Sequence, residues 1–221
     1  MADCALSLID CHFAYEANKP LLQGLCLEAA SGARIGIGGD NGCGKSTLLR
    51  LLLGLGPWPL PPPCRYEVFQ RRLYHKSDLP WLRRQIGFLS QHAEDHLFCP
   101  LVIDDVCFGP LHQGLPPEVS HERARTWLQH WGISDLSECP STHLSGGQSQ
   151  LAALAAICAC QPKILILDEP SSALDARGRE LLVQGLQGLD MTLIIASHDQ
   201  DLLEEVCHQQ YRLLHGIIGR T

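Results

Sequence analysis

Between residues 39 and 46 the chain reads Gly39-Asp40-Asn41-Gly42-Cys43-Gly44-Lys45-Ser46. This Gly-x-x-x-x-Gly-Lys-Ser run has chemical meaning only between a strand and a helix. Both neighbours are there. Arg34-Ile35-Gly36-Ile37 reads as a short buried strand, and Lys45 to Leu53 as a helix. The glycines let the backbone curl until its amides point inward at phosphate oxygens. The new helix adds its free amides and its positive dipole end. Lys45 would reach the β- and γ-phosphates, and the Ser46 hydroxyl would ligate Mg²⁺. Cys43 lies inside the loop. It is either a small residue that fits, or a thiol whose thiolate the local positive potential favours. Alkylation with and without bound ATP separates the two readings.

A second motif supplies the opposite charge. Ile164-Leu165-Ile166-Leu167-Asp168-Glu169-Pro170 is an apolar strand ending in two acids. The carboxyl end of a buried parallel strand is where open α/β sheets bind ligands. Asp168 is placed for the Mg²⁺ shell and Glu169 for the attacking water. Ile86 to Leu89 and Leu193 to Ala196 are two more continuous apolar runs. Such runs fit a parallel sheet covered on both faces. Helical patterns lie between them. Glu118 to Trp131 carries Ala124, Trp127, Leu128 and Trp131 at helical steps; Ser145 to Ala159 reads as a buried helix; Leu181 to Leu189 is apolar but broken by glycines. The fold class is α/β. Gly56 to Pro63 is crowded with proline and reads as a surface loop.

Composition narrows the function. With 17 basic and 24 acidic residues the net charge is −7, against the electrostatic footprint of a nucleic-acid binder. The longest apolar run, Leu151 to Cys160, is ten residues, where a spanning helix needs about 20. Met1-Ala2-Asp3-Cys4 has neither a basic start nor an apolar core, so no export signal is read. Any membrane association is expected to come through a partner. The eleven cysteines and eleven histidines show no zinc spacing. Most of the cysteines are expected to be reduced core filler in a cytosolic protein.

Leu144-Ser145-Gly146-Gly147-Gln148 lies ahead of the Ile164 strand. Ser145 would cap a helix, and the two glycines would let phosphate approach its amides. The first loop already cradles a triphosphate, so a second phosphate site points to one shared between subunits. With these motifs in place, the sequence resembles the ATP-binding cassette (ABC) ATPases. Further matches are Gln91 after the Ile86 strand, Ser172-Ala173-Leu174-Asp175 past the acids, Ser197-His198-Asp199 after the last core strand, and the aromatic Tyr15.

The resemblance implies a P-loop NTPase core with a parallel sheet, over about 1–90 and 160–221. It also implies a small antiparallel β subdomain and an inserted helical subdomain over about 91–159. It implies that Tyr15 stacks the adenine and that Gly39, Asp40, Asn41, Gly42, Cys43, Gly44, Lys45, Ser46 and Thr47 bind the triphosphate. Mg²⁺ would be held by Ser46, Gln91 and Asp168. The catalytic set would be Glu169, His198, Gln91 and Lys45. Asp175 would belong to the nucleotide-contacting set, and Ser145, Gly146, Gly147 and Gln148 would serve ATP on the opposite subunit. Two departures stand out. Ser149 and Leu151 replace the basic residues usual after the signature, and Pro57 to Cys64 lacks the usual glycine turn.

His92 to Phe98 and Val102-Ile103-Asp104-Asp105-Val106-Cys107-Phe108-Gly109-Pro110 are similar to the energy-coupling-factor branch. That branch implies a peripheral motor on the cytoplasmic face of the cell membrane. Its partners would be a transmembrane coupling protein, a cargo-binding membrane protein and a second ATPase subunit, identical or not. Cobalt or nickel is the cargo on branch resemblance, with biotin or another vitamin as the alternative. A generic importer cassette is the broader reading. A nucleic-acid-acting cassette is disfavoured because Lys45 and Asp168 are 123 residues apart, too close for a coiled-coil arm. A non-hydrolysing regulatory module is disfavoured by Glu169 and His198.

Overall fold

The computed structural model describes residues 3–16 and 18–220. Met1 and Ala2, part of the leader reading, lie outside these residues. The chain divides into two compact units. The first takes the stretch ending at Ile86, then Lys163–Glu169, then the stretch from Asp190 onward. The second takes Gly87–Pro162 and Pro170–Leu189.

The elements, in chain order, are β1 (Cys4–Glu16), β2 (Lys19–Ala30), β3 (Arg34–Gly38), α1 (Lys45–Leu52), β4 (Arg65–Val68), β5 (Arg71–Arg72), α2 (Leu79–Gln85), β6 (Ile86–Leu89), α3 (Val102–His112), α4 (Pro117–His130), α5 (Gly146–Ala159), β7 (Ile164–Asp168), α6 (Ala176–Gln187), β8 (Thr192–Ala196), α7 (Gln200–Val206), β9 (Gln209–Leu214) and β10 (Ile217–Arg220).

In the first unit one sheet has the order β10-β9-β3-β8-β7. The pairs β3–β8, β3–β9 and β7–β8 are parallel, and β9–β10 is antiparallel. Every residue of β7 and β8 is buried. That is why these strands read as unbroken apolar runs rather than alternating ones. The register pairs Ile37 with Ala196 and Asp168 with Ala196. The carboxyl ends of β3, β8 and β7 therefore finish level, and the segments leaving them emerge at one edge.

A second sheet in the same unit has the order β2-β1-β4-β5 and is antiparallel. The Gly56 to Pro63 loop leads into it. Trp58 of that loop is buried, donates from Nε1 to the His75 carbonyl at 2.9 Å, and meets the Tyr66 ring edge-on. The loop is thus a surface connection pinned by one indole.

The second unit is helical. Helix α4 buries Ala124 and Leu128, with Trp131 completely covered at its end and Trp127 half-buried. Trp131 packs on Gly185 of α6, where a Cβ would run into the indole ring. Helix α6 starts at Ala176, earlier than the Leu181 pattern indicated, because Asp175 caps it by accepting from the Gly178 amide at 2.7 Å. It runs through Gly185 to Gln187, with Gly188 as its C-cap. In α5, Ser149 and Leu151 are buried, so a charged side chain at either position would be desolvated.

Core filling accounts for only part of the cysteine content. Cys11, Cys107, Cys158 and Cys207 are buried, six others are half-buried, and Cys26 is exposed. Burial pushes the Cys207 thiol up to about 12, which keeps it unreactive. Among the described residues no helix is long and apolar enough to cross a membrane.

Candidate active site

The level strand ends of the first unit bring three segments together. The loop after β3 carries Gly39 at φ +152°, where a Cβ would lie 2.6 Å from the Leu213 carbonyl oxygen. No side chain is tolerated there. Gly44, at φ +110°, caps α1 without a side-chain hydrogen bond, so the first amides of the helix stay open to an anion. Lys45 is only 6% exposed, and its Nζ donates to the carbonyls of Gly39 at 2.6 Å and Asp40 at 3.3 Å.

Asp168 closes β7, buried, with Oδ1 lacking any hydrogen-bond partner. Burial raises its pKa. A hydrogen bond from Ser46 and the charges of Arg50 and Lys45 oppose that rise, and the neighbouring Glu169 adds to it. A buried, unpaired carboxylate oxygen beside a serine hydroxyl is a donor set for a hard divalent cation, so the residues present fit Mg²⁺.

Glu169 sits on left-handed backbone at φ 50°, held by its amide donating to the Ala196 carbonyl at 2.8 Å. Its Oε2 accepts from Ser197 Oγ at 3.0 Å, from the His198 amide at 3.2 Å and from His198 Nδ1 at 2.7 Å. Its Oε1 is 3.7 Å from Lys45 Nζ. With Nδ1 donating to the carboxylate, Nε2 of His198 is left free for another partner. The His198 ring is largely exposed. An acid aimed by three donors, beside an ammonium and an amide-lined loop, can orient and deprotonate a water while neighbouring groups neutralise phosphate charge.

Two cavities flank the phosphate loop within this unit. One of about 540 Å³ is bordered by Gly39, Asp40, Asn41, His198, Gln200 and Tyr211. The other, of about 310 Å³, is bordered by Phe13, Tyr15, Thr47, Arg50 and Leu55. Tyr15 is 67% exposed, meets the Phe13 ring edge-on, and lies within hydrogen-bond reach of Thr47 Oγ1 at 3.2 Å. Its ring face is therefore available for stacking.

Lys45, Ser46, Asp168, Glu169 and His198 thus share the first unit. The signature residues, Asp175 and Gln91 belong to the second. Ser145 caps α5, accepting from the Gln148 amide at 3.3 Å, while the Gln148 side chain accepts from the Ser145 amide at 2.9 Å. This reciprocal box opens onto a cavity of about 410 Å³, bordered by Gly146, Gly147, Asp175 and Arg177. Gln91 follows β6 and is exposed. The roles given to it rest on the resemblance.

Past Gln91, Asp105 is buried and organises its neighbourhood. It accepts from the Phe98 and Cys99 amides at 2.8 Å each and from Ser141 Oγ at 2.7 Å. Phe98, 64% exposed, packs edge-on against Phe108, which lies against His112. Sequence reasoning missed Ser197 as the clamp on Glu169, Arg50 as a neighbour of Asp168, and Phe108 as the partner of Phe98. Ser197 had one available signal, a hydroxyl directly after an apolar strand.

Comparison with known proteins agrees with this geometry. Residues 22–172 match the family model described as ABC transporter. A Nitratidesulfovibrio vulgaris protein assigned to the ABC transporter ATP-binding proteins is 42% identical over 96% of this chain and 77% of its own length. The energy-coupling factor transporter ATP-binding protein EcfA of Methanocaldococcus jannaschii is 34% identical over 95% of this chain and 75% of its own. Among solved structures, cbiO1 of Clostridium perfringens, described as part of the ABC transporter complex cbiONQ, superposes with a TM-score of 0.87. It is 31% identical over 98% of this chain and 87% of its own.

Proposed function

The chain belongs to the ATP-binding subunits of ABC transporters, ATPases that couple hydrolysis to transport, and from that premise we propose that it is the motor of an energy-coupling-factor importer. The observation that carries the hydrolytic part of the reading is the Glu169 cluster, an acid held by Ser197 and His198 within 3.7 Å of Lys45; the importer branch is supported by the similarity to EcfA and cbiO1.

In this reading the amides of Gly39 to Thr47 wrap the ATP phosphates, and Lys45 exchanges its loop carbonyls for phosphate oxygens. Tyr15 stacks on adenine. Glu169 takes a proton from the attacking water, and His198 turns Nε2 toward the γ-phosphate. Ser46 and Asp168 would hold Mg²⁺, which neutralises charge on the phosphate oxygens when bound. Gln91 is assigned to the same ion and to the water on family grounds. Ser145 to Gln148 and Asp175 serve ATP carried by a second ATPase subunit, so two subunits close around two nucleotides and reopen after hydrolysis. The exposed Phe98 and Phe108 face receives a transmembrane coupling protein, which carries the cargo-binding protein and holds the motor at the cytoplasmic face of the membrane. Cobalt or nickel is the proposed cargo on resemblance to the energy-coupling-factor branch alone, with biotin or another vitamin as the alternative; the branch is supported by the His92 to Pro110 region and by similarity to EcfA and cbiO1.

The test is capture by Glu169→Gln with Mg-ATP from detergent-solubilised native membranes. Without its base the protein should stall closed on ATP. Recovery of a multi-spanning coupling protein and a small cargo-binding protein is the expected result, and the cargo protein then separates metal ion from vitamin. Recovery of soluble or nucleic-acid-bound partners alone would overturn the transport assignment.

A further inference from the structure

The charge of this chain is distributed unevenly. Six of its 17 basic residues but two of its 24 acids fall between residues 65 and 84. That segment carries +4 in a chain of −7, leaving −11 on the remainder. All six cations, Arg65, Arg71, Arg72, Lys76, Arg83 and Arg84, are exposed. Arg71 is committed to Asp78 at 2.8 Å. Among the described residues, the other five make no ion pair with a carboxylate. The side chains are gathered by contacts within the segment. Arg71 spans from β5 to Asp78 and to the Trp81 ring of α2, and Arg72 lies over Tyr74.

A cavity of about 250 Å³ opens in the same place, bordered by Trp58, Leu60, Pro63, Leu73 and Tyr74, with Arg65 and Arg72 also on its wall. An apolar slot with two guanidinium groups is built for an amphiphile with an anionic head. Tyr74, 46% exposed, has the apolar body and polar tip that settle at a membrane interface.

We infer that this face binds the acidic phospholipids of a bilayer surface directly. Arg65 and Arg72 take a headgroup phosphate at the mouth of the slot, where a guanidinium pairs with it through two parallel hydrogen bonds. Trp58, Leu60 and Leu73 receive the adjoining carbons, and Lys76, Arg83 and Arg84 meet neighbouring headgroups. The −11 elsewhere is repelled by the same surface, so contact through this face alone also fixes orientation. Nucleic acid fits the face less well. Single strands bind through aromatic rings free to stack on bases, whereas guanidinium groups cover the Trp81 and Tyr74 rings. The inference goes beyond the motor assignment and needs neither nucleotide nor membrane partner. It adds a direct contact to the partner-mediated association read from the sequence.

The experiment is co-sedimentation of the full chain, without nucleotide, on vesicles of phosphatidylcholine alone or mixed with phosphatidylglycerol, at low and high salt. Binding should require phosphatidylglycerol and fade with salt. It should weaken about fivefold per cation removed in Arg65→Gln/Arg72→Gln and, independently, in Arg83→Gln/Arg84→Gln. Both variants should keep the ATP turnover of the unmodified protein, which separates this result from failure of the motor reading. Equal binding to both vesicle types, no binding to the acidic vesicles at low salt, or tighter binding to a single-stranded oligonucleotide than to vesicles would each overturn the proposal.

Discussion

The phosphate loop and the signature are both built to meet phosphate, yet they are finished to different degrees. In the first unit, Lys45, Asp168 and Glu169 are all buried, and Glu169 and Lys45 spend their hydrogen bonds on this unit's own groups. The signature instead lines an accessible cavity, and its one reciprocal network, Ser145 with Gln148, serves the end of its own helix. The first region is assembled for chemistry. The second is a shaped surface whose phosphate must arrive from elsewhere. Disabling each should therefore leave different things intact.

The largest effect should come from Glu169→Gln. The amide keeps the shape and can still accept from Ser197, but it cannot take a proton. Turnover should fall by about 10²–10⁴-fold while ATP binding changes little, as read by phosphate release and by equilibrium binding. Retained turnover would show that another group deprotonates the water. Gly147→Val probes the opposite region. A Cβ there already crowds Leu174 and the Ala173 carbonyl at 3.2 and 3.3 Å. Turnover should drop roughly a hundredfold and ATP-driven self-association should vanish in light scattering. Nucleotide affinity of the lone subunit should be unchanged, and a loss of that affinity would merge the two regions that the comparison separates.

Lys45→Ala should weaken ATP binding about 10- to 100-fold, the scale of a hydrogen bond to a charged group, as measured by titration calorimetry. Tight binding by this variant would mean the loop amides suffice. Ser145→Ala should cost about 1 kcal/mol of stability through the lost cap, which is roughly 2–4 °C in Tm. The matching loss in Gln148→Ala would confirm that both residues serve one box.

The smallest effect concerns Asp168. Burial raises its pKa, so folding favours the protonated acid. That contribution is present below the unfolded value and is lost as pH rises through the raised folded value. Above that folded value the ionised group opposes folding. Asp168→Asn without ligand should melt at or above the unmodified protein there, and Mg-ATP should stabilise it far less. A lower melting point would show that Ser46, Arg50 and Lys45 outweigh the desolvation of the carboxylate.

Strands β3, β7 and β8 were legible because they are short unbroken apolar runs, as central parallel strands must be, and β6 was read from a similar run. Strand β9 was not. It opens Gln209-Gln210-Tyr211-Arg212, polar by composition, and exists because Ile35 to Gly38 offer it a register to pair with. Strands β1 and β2 were hidden by shifts in their own pairing, at Cys11 among other places, which break a clean alternation. The phosphate loop and the acids were readable as local strings. The clamp on Glu169 was not local. Residues 169 and 197 meet only because Asp168 pairs with Ala196 across β7 and β8, and no window of sequence contains both.

The left-handed backbone at Glu169 has a practical consequence. A non-glycine residue in that conformation costs roughly 1–2 kcal/mol, whereas a hydrogen bond to a charged group is worth about 1.5–3 kcal/mol. The Ser197 and His198 contacts to its carboxylate therefore outweigh the strain of the backbone. Glycine at 169 would relax the chain and strand those donors beside Lys45. A variant library sorted only for heat resistance would therefore keep the same acid that sorting by turnover keeps.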